Sequence, residues 1–381
     1  LLKNLSIIAF SLVFGKIFFF ILPYSVNADT YNEFNQVYYT ASLAVSIAVF
    51  GFNISFVENP VMLRVLFLLV FINLIPVYLF IVLMENSIDF EAVLISYSLI
   101  LTGIITFYFL FKSNIWLYFF SHVILLVAQL SAILLAILSN MAIEFAFMLM
   151  MLVSLLVISL LLKFNYKPTQ VNNIKKFYEI GVSAFVINGA AVIAFNADKF
   201  IINNFFSLDT ANAYTFAWTL IAPSFYIGTL IEKGIYSEKA ESKLFNKTKK
   251  YTLILFAALV IYFGILTAAV TCYPNIIPGS LQHSVFQDIL YIMIPGFFLF
   301  TLIHTPVNAI LFKLFKDKIR SKIALFFAPV IILFLISLFI ITRFDLNDDV
   351  LLILSITWLY LFLLQAIKIY LMMRDRQAIS Q

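Results

Sequence analysis

Along the 381 residues, twelve apolar stretches alternate with polar gaps, and the positive charges gather on every second gap. Few folds accommodate that pattern. A bilayer core about 30 Å thick needs about 20 mostly apolar residues per α-helix. The stretches 5–24, 37–57, 63–84, 91–111, 115–138, 141–162, 177–197, 211–231, 251–271, 288–312, 322–342 and 350–371 are of that order. Transmembrane β-strands would be about 10 residues long and would alternate in polarity, which these do not. With 64% hydrophobic and 11% charged residues, the chain has too little polar surface to cover a water-soluble core. The pattern predicts an all-α polytopic membrane protein with about 12 transmembrane helices.

Charge orients the bundle. With the N-terminus inside, every one of the 24 Lys and Arg except Lys16, Lys199 and Arg343 falls in an inner segment, the positive-inside arrangement. The outer segments are acidic, with Asp29, Glu33, Glu85, Asp89, Glu91, Asp345, Asp348 and Asp349. Both termini are therefore expected in the cytoplasm. The formal charge of +5 expresses this topology and contact with anionic membrane lipid, not nucleic-acid binding. The single cysteine, Cys272, cannot form an internal disulfide. The first stretch reads as a span, not a cleaved signal, because more spans follow it.

The inner segment 166–176, with Lys167 and Pro168, divides the spans six and six. Residues 1–165 and 177–381 are then expected to form two six-helix lobes that run in the same sense, related by a pseudo-two-fold axis normal to the membrane. An offset of 183 residues carries Lys16 onto Lys199, Ala28 onto Ala211, Tyr31 onto Tyr214 and Gly51 onto Gly234. Each half thus reads as a span with a lysine, a polar outer turn, a tyrosine, and a second span closing on glycine.

Enzymatic and metal chemistry find little support. The three histidines, His122, His283 and His304, have no metal-ligand spacing, and no HExxH, GxSxG or phosphate loop is present. No cofactor and no metal site are expected, and the chain does not read as an enzyme. The charged residues inside spans point to transport. Charge within a bilayer is costly and usually faces a cavity or a partner. Lys16 lies among Phe14, Gly15, Ile17 and Phe18, and is either a snorkelling side chain or a cationic point on a cavity wall that attracts an anionic head group. Asp198 and Lys199 follow Asn196 near the outer end of span seven. They form either a solvated helix end or an internal ion pair, or, since adjacent residues do not share a helix face, they have different partners. Asp198 either couples to a cation or pins its helix. Asn188, Asn196, Asn203 and Asn204 can bond sugar hydroxyls or join helices. His122 and His304 are either packed and satisfied or proton relays. Pro23, Pro76, Pro223, Pro295 and Pro306 mark kinks.

The run Asn196-Ala197-Asp198-Lys199-Phe200-Ile201-Ile202-Asn203-Asn204, continuing to Tyr214, resembles the polysaccharide-transport family (Wzx-type flippases) of the multidrug/oligosaccharidyl-lipid/polysaccharide exporter (MOP) superfamily. Pro23, Tyr31 and Gly51-Phe52-Asn53, and the turn 311–318, are similar to that family as well. The Arg and Gly of the family's first outer turn are replaced here by Tyr24 and the run Asp29-Thr30-Tyr31-Asn32. The resemblance implies two lobes around a central cavity in the bacterial inner membrane. It implies a flippase that moves an undecaprenyl-pyrophosphate-linked oligosaccharide, an O-antigen or capsule repeat unit, to the periplasmic leaflet by alternating access. Lys16, Lys199 and Asn196 would bind this passenger, and Asp198 would couple or order the second lobe. A glycan polymerase and a chain-length regulator would be its partners, and coupling to H+ or Na+ is left open. The competing readings are the polymerase of the same pathway and a cation-coupled multidrug exporter.

Overall fold

A computed structural model describes residues 2–379 apart from 50, 60, 86, 88, 113, 166–172, 237–240, 280, 315 and 344–348. Most of the expected segment 166–176 lies outside the described residues. So do Asp345, Asp348 and the side chains of Asn188 and Arg343. The helices run α1 (Leu2–Ser25), α2 (Ala28–Ala48), α3 (Phe52–Glu58), α4 (Leu63–Glu85), α5 (Phe90–Phe111), α6 (Ile115–Ser139) and α7 (Ile143–Asn165). They continue with α8 (Ile174–Phe205), α9 (Leu208–Ile221), α10 (Pro223–Tyr236), α11 (Glu241–Cys272), α12 (His283–Leu314), α13 (Lys316–Arg343) and α14 (Val350–Ile379). Among the described residues, eight helical stretches are long and apolar enough to cross a membrane, or nine if the bent pair α2/α3 forms one span. Shorter apolar stretches, Val13–Ser25 and Phe326–Ile341, lie in α1 and α13. Helix α8, at 32 residues, carries Asp198, Lys199 and several asparagines and is not among them.

Two breaks follow from local chemistry. The span formed by α2 and α3 bends by 46° at Gly51, whose φ of 66° is a left-handed conformation that glycine adopts without a Cβ clash. The span formed by α9 and α10 breaks where Pro223 begins α10, because proline has no N–H to continue the ladder. Helix α2 also starts earlier than its apolar run at 37 suggests. The Asn27 side chain caps it by accepting the Thr30 N–H at 2.8 Å, a favoured N-cap arrangement. Polar-looking positions such as Tyr31 and Asn35 are then buried against neighbouring helices, so Asp29 and Glu33 belong to helix, not loop.

The outward faces are apolar. On α4, Leu68, Phe71, Ile75, Leu79 and Leu83 are exposed at helical spacing, while Asn73 and Tyr78 point inward. A soluble protein rarely presents such a stripe, whereas hydrocarbon matches it. Packing repeats between the halves. Contacts α1–α6, α2–α5, α5–α7 and α6–α7 recur as α8–α13, α9–α12, α12–α14 and α13–α14. Across the middle, α2 meets α8 and α1 meets α9, which are equivalent pairs when the halves are exchanged. The chain is an all-α polytopic membrane protein with internal pseudo-symmetry.

Candidate anion cavity between the halves

Helices α1, α2, α8 and α9 meet across the middle, and they line a partly open cavity of about 90 Å³. Its walls come from Lys16 and Phe19 on α1, Tyr38, Tyr39 and Ser42 on α2, Asn196 and Lys199 on α8, and Trp218 and Thr219 on α9, with Ala222 just beyond. Helical spacing explains the selection. Lys16 with Phe19, Asn196 with Lys199, and Trp218 with Ala222 are three or four apart and so share a face. The three residues expected to touch a passenger, Lys16, Lys199 and Asn196, therefore line one space. The two lysines, related by the 183-residue offset, reach it from different halves.

The ammonium groups lie against aromatic faces. Lys199 Nζ is 3.7 Å from the Trp218 ring centroid and 5.5 Å from that of Tyr39, and Lys16 Nζ is 5.4 Å from that of Phe19. Such cation–π contacts contribute about 0.5–2 kcal/mol, more when desolvated. Among the described lining residues there is no carboxylate. Lys199 is only 8% exposed, so it is not part of a solvated helix end, while Lys16 is half-buried on the cavity wall. Asp198, outside the lining, gives Lys199 a nearby counter-charge, whereas Lys16 meets no carboxylate among the described lining residues, so the lysine pair attracts an anion into the cavity.

Asp198 points elsewhere. It is 1% exposed. Its Oδ2 accepts the Tyr214 hydroxyl at 2.7 Å, and its Oδ1 accepts the Lys199 backbone N–H at 2.6 Å. Trp218 Nε1–H in turn donates to the Tyr214 oxygen at 3.2 Å. The carboxylate thus ties α8 to α9 and fixes the indole on which Lys199 rests. Asn203 reinforces the tie, donating to the Lys199 carbonyl at 2.8 Å and exchanging hydrogen bonds with Thr215 at 3.0 and 3.1 Å. Asn204 donates to the Phe200 carbonyl at 2.9 Å and to Thr40 at 3.4 Å. Asn203 and Asn204 therefore join helices, whereas Asn196 faces the cavity.

The aromatic lining was not anticipated from sequence, although the Tyr38-Tyr39 pair and Trp218, one turn beyond Tyr214, were available signals. A second polar cluster lies between α12 and α14, around His304. Lys368, assigned by charge pattern to an inner segment, is 1% exposed and lies within α14. Its Nζ donates to Asn308 Oδ1 at 2.8 Å. It is a buried helix residue and not one of the solvated lysines that set topology. His304 is held by Asn308 and Gln365. His122 rests on its own helix, with Nδ1 2.9 Å from the Tyr118 carbonyl.

No family model matches the chain, and no curated protein matches it. Two solved structures share its fold. One is an inward-facing multidrug resistance MATE family transporter of the MOP superfamily, with a TM-score of 0.52 and 11% identity over 94% of each chain. The other is the eukaryotic MATE transporter AtDTX14, with a TM-score of 0.50 and 13% identity over 97% of this chain and 95% of that one. The chain has the fold of these MATE transporters.

Proposed function

We propose that the chain is a flippase for a polyprenyl-pyrophosphate-linked oligosaccharide, moving it from the cytoplasmic to the outer leaflet of a bacterial inner membrane by alternating access. The observation that carries this reading is the cavity with Lys16 and Lys199 from opposite halves and no carboxylate among its described lining residues. A sugar pyrophosphate cannot cross hydrocarbon unaided. Two ammonium groups supply charge-assisted hydrogen bonds to phosphate oxygens. Tyr38, Tyr39 and Trp218 present amphipathic faces, and Asn196, Ser42 and Thr219 offer partners for sugar hydroxyls. The present volume of about 90 Å³ takes a small anion or a few waters. The head group would therefore enter through a state in which α1 and α9 part from each other, while the polyprenyl tail stays in lipid. Both termini would lie in the cytoplasm, and a glycan polymerase and chain-length regulator would receive the product.

A second reading, a multidrug exporter, has the fold likeness in its favour. The lysines argue against a cationic drug, which they would repel. Replacing Lys16 and Lys199 with Ala, singly and together, should abolish surface glycan at normal protein levels while single repeat units accumulate on the inner leaflet. Unchanged export would refute the site. A polymerase would instead leave single repeats on the cell surface in a deletion strain.

A further inference from the structure

Away from the cavity, α12 and α14 hold a buried lysine, a half-buried histidine and two buried amides in one chain of contacts. Lys368 Nζ donates to Asn308 Oδ1 at 2.8 Å. Asn308 Nδ2 is 2.7 Å from His304 Nε2, and Gln365 Nε2 is 3.0 Å from His304 Nδ1. Lys368, Gln365 and Asn308 are each at most 5% exposed. A neutral imidazole accepts at only one nitrogen, so both amides cannot donate to it. Turning the Gln365 amide resolves the conflict, since amide orientation is an assignment. Its Oε1 then accepts the Nδ1–H, and Nε2 takes the buried position that Oε1 held without a partner. The directions now run from Lys368 to Asn308 to His304 to Gln365.

This arrangement has a mirror form. With the proton on His304, Nε2–H donates to a turned Asn308 Oδ1, and Asn308 Nδ2–H donates to the free electron pair of a neutral Lys368. The amide never ionises and carries no proton across: Lys368 Nζ gives one proton to solvent and His304 Nε2 takes one from it, so one N–H bond is lost and one is formed. From α11, Lys249 and Lys250 border a surface groove with Leu302 of α12, two residues before His304. Glu232 on α10 is the carboxylate whose field reaches Lys368, and Lys368 is the cation that reaches His304. From α13 comes the Phe327 ring, 5.8 Å from Nζ, and from α12 itself Phe300 stacks on His304 at 4.8 Å. Among the described residues, α8 and α13 contribute no charged group to the cluster. With an ammonium already in place, the cluster repels a metal cation. Helix packing alone would be served better by an apolar residue than by a buried lysine.

We infer that Lys368 and His304, bridged by Asn308, form a proton-binding site that holds one exchangeable proton. It sits toward the end of the bundle opposite the cavity. Lys368 is 18 residues past Val350, about 27 Å along α14 at 1.5 Å per residue. The α11–α12 connection lies at the other end, beside α1, where Tyr24 donates to the Ile276 carbonyl. Rings connect the two sites. Trp218, which carries Lys199, packs on Phe195 at 5.3 Å, Phe195 on Phe300 at 5.3 Å, and Phe300 on His304. A proton gained or lost at His304 and Lys368 is therefore in packing contact with the helices that wall the cavity.

The test is a glass-electrode titration of the full chain in detergent micelles between pH 5 and pH 9, with thermal unfolding run alongside. Lys368→Arg, which keeps the charge and does not titrate, should exchange one proton fewer per chain than the wild type. Lys368→Met, which leaves the proton to His304 alone, should move the midpoint of that step, and so should His304→Gln. The one-proton difference should persist in a Lys16→Met/Lys199→Met background, which makes the result independent of the cavity's role. Equal proton counts for wild type and a folded Lys368→Arg would overturn the proposal. So would a midpoint unmoved by His304→Gln, which would leave a lysine with a packing role only.

Discussion

Tyr214→Phe removes one oxygen and tests how the cavity is held. That oxygen donates to Asp198 Oδ2 at 2.7 Å and receives Trp218 Nε1–H at 3.2 Å. All three side chains are buried, at 1%, 0% and 6% exposure for Asp198, Tyr214 and Trp218. A hydrogen bond to a charged group contributes about 1.5–3 kcal/mol, and a buried donor left without a partner costs about 1–3 kcal/mol. The ring fills the same space in Phe, so no cavity cost is added. The expected loss is about 3 kcal/mol or more. Asp198→Asn should cost a similar amount, about 3 kcal/mol, because its one oxygen cannot accept from both Tyr214 and the Lys199 N–H and the charge beside Lys199 is lost. Unfolding of the purified chain in detergent, followed by its tryptophan signal, reads both values. The double variant should cost far less than the sum, since the residues share one interaction. If Tyr214→Phe lies within about 0.5 kcal/mol of wild type, a difference typical of an unimportant surface change, the network does not hold α8 to α9 and the account of Asp198 is wrong.

Other outcomes follow from the same contacts. A Cβ at Gly296 would overlap the Trp358 indole, so Gly296→Ala should destabilise the α12–α14 contact by about 1–3 kcal/mol, and Trp358→Leu should relieve it in an unfolding double-mutant cycle. Gly51→Ala must adopt a φ of 66°, at a cost of about 1–2 kcal/mol, read as a lower unfolding temperature. Thr215→Val removes the partner of Asn203 and should lower stability by about 1–2 kcal/mol, whereas Thr219→Val, on the cavity wall, should leave stability within about 0.5 kcal/mol.

Much of this architecture was readable from residue order. Hydropathy and the alternation of lysine-rich gaps marked the helices, because a bilayer imposes length and charge asymmetry directly on sequence. The 183-residue offset joined Lys16 to Lys199, and the rule that neighbours on a helix face apart separated Asp198 from Lys199. Other features depend on tertiary context. Hydropathy excluded the first two turns of α2, yet Tyr31 and Asn35 there are buried because other helices satisfy the space around them. Lys368 looked like one more positive-inside charge; only the packing of α12 against α14 reveals its partner, 60 residues away in sequence. The aromatic wall of the cavity was hidden for a similar reason. In a chain with 44 phenylalanines, rings that seat a cation cannot be told by composition from rings that meet lipid.

The central claim is that Lys16 and Lys199 together hold a phosphate-bearing anion. Calorimetric titration of the full chain in nanodiscs with inorganic pyrophosphate addresses it directly. The account predicts saturable binding that weakens with salt. It predicts about 10–100-fold loss for each lysine-to-alanine change, from about 1.5–3 kcal/mol per charge-assisted hydrogen bond. Affinity unchanged in a folded Lys16→Ala/Lys199→Ala protein would contradict it.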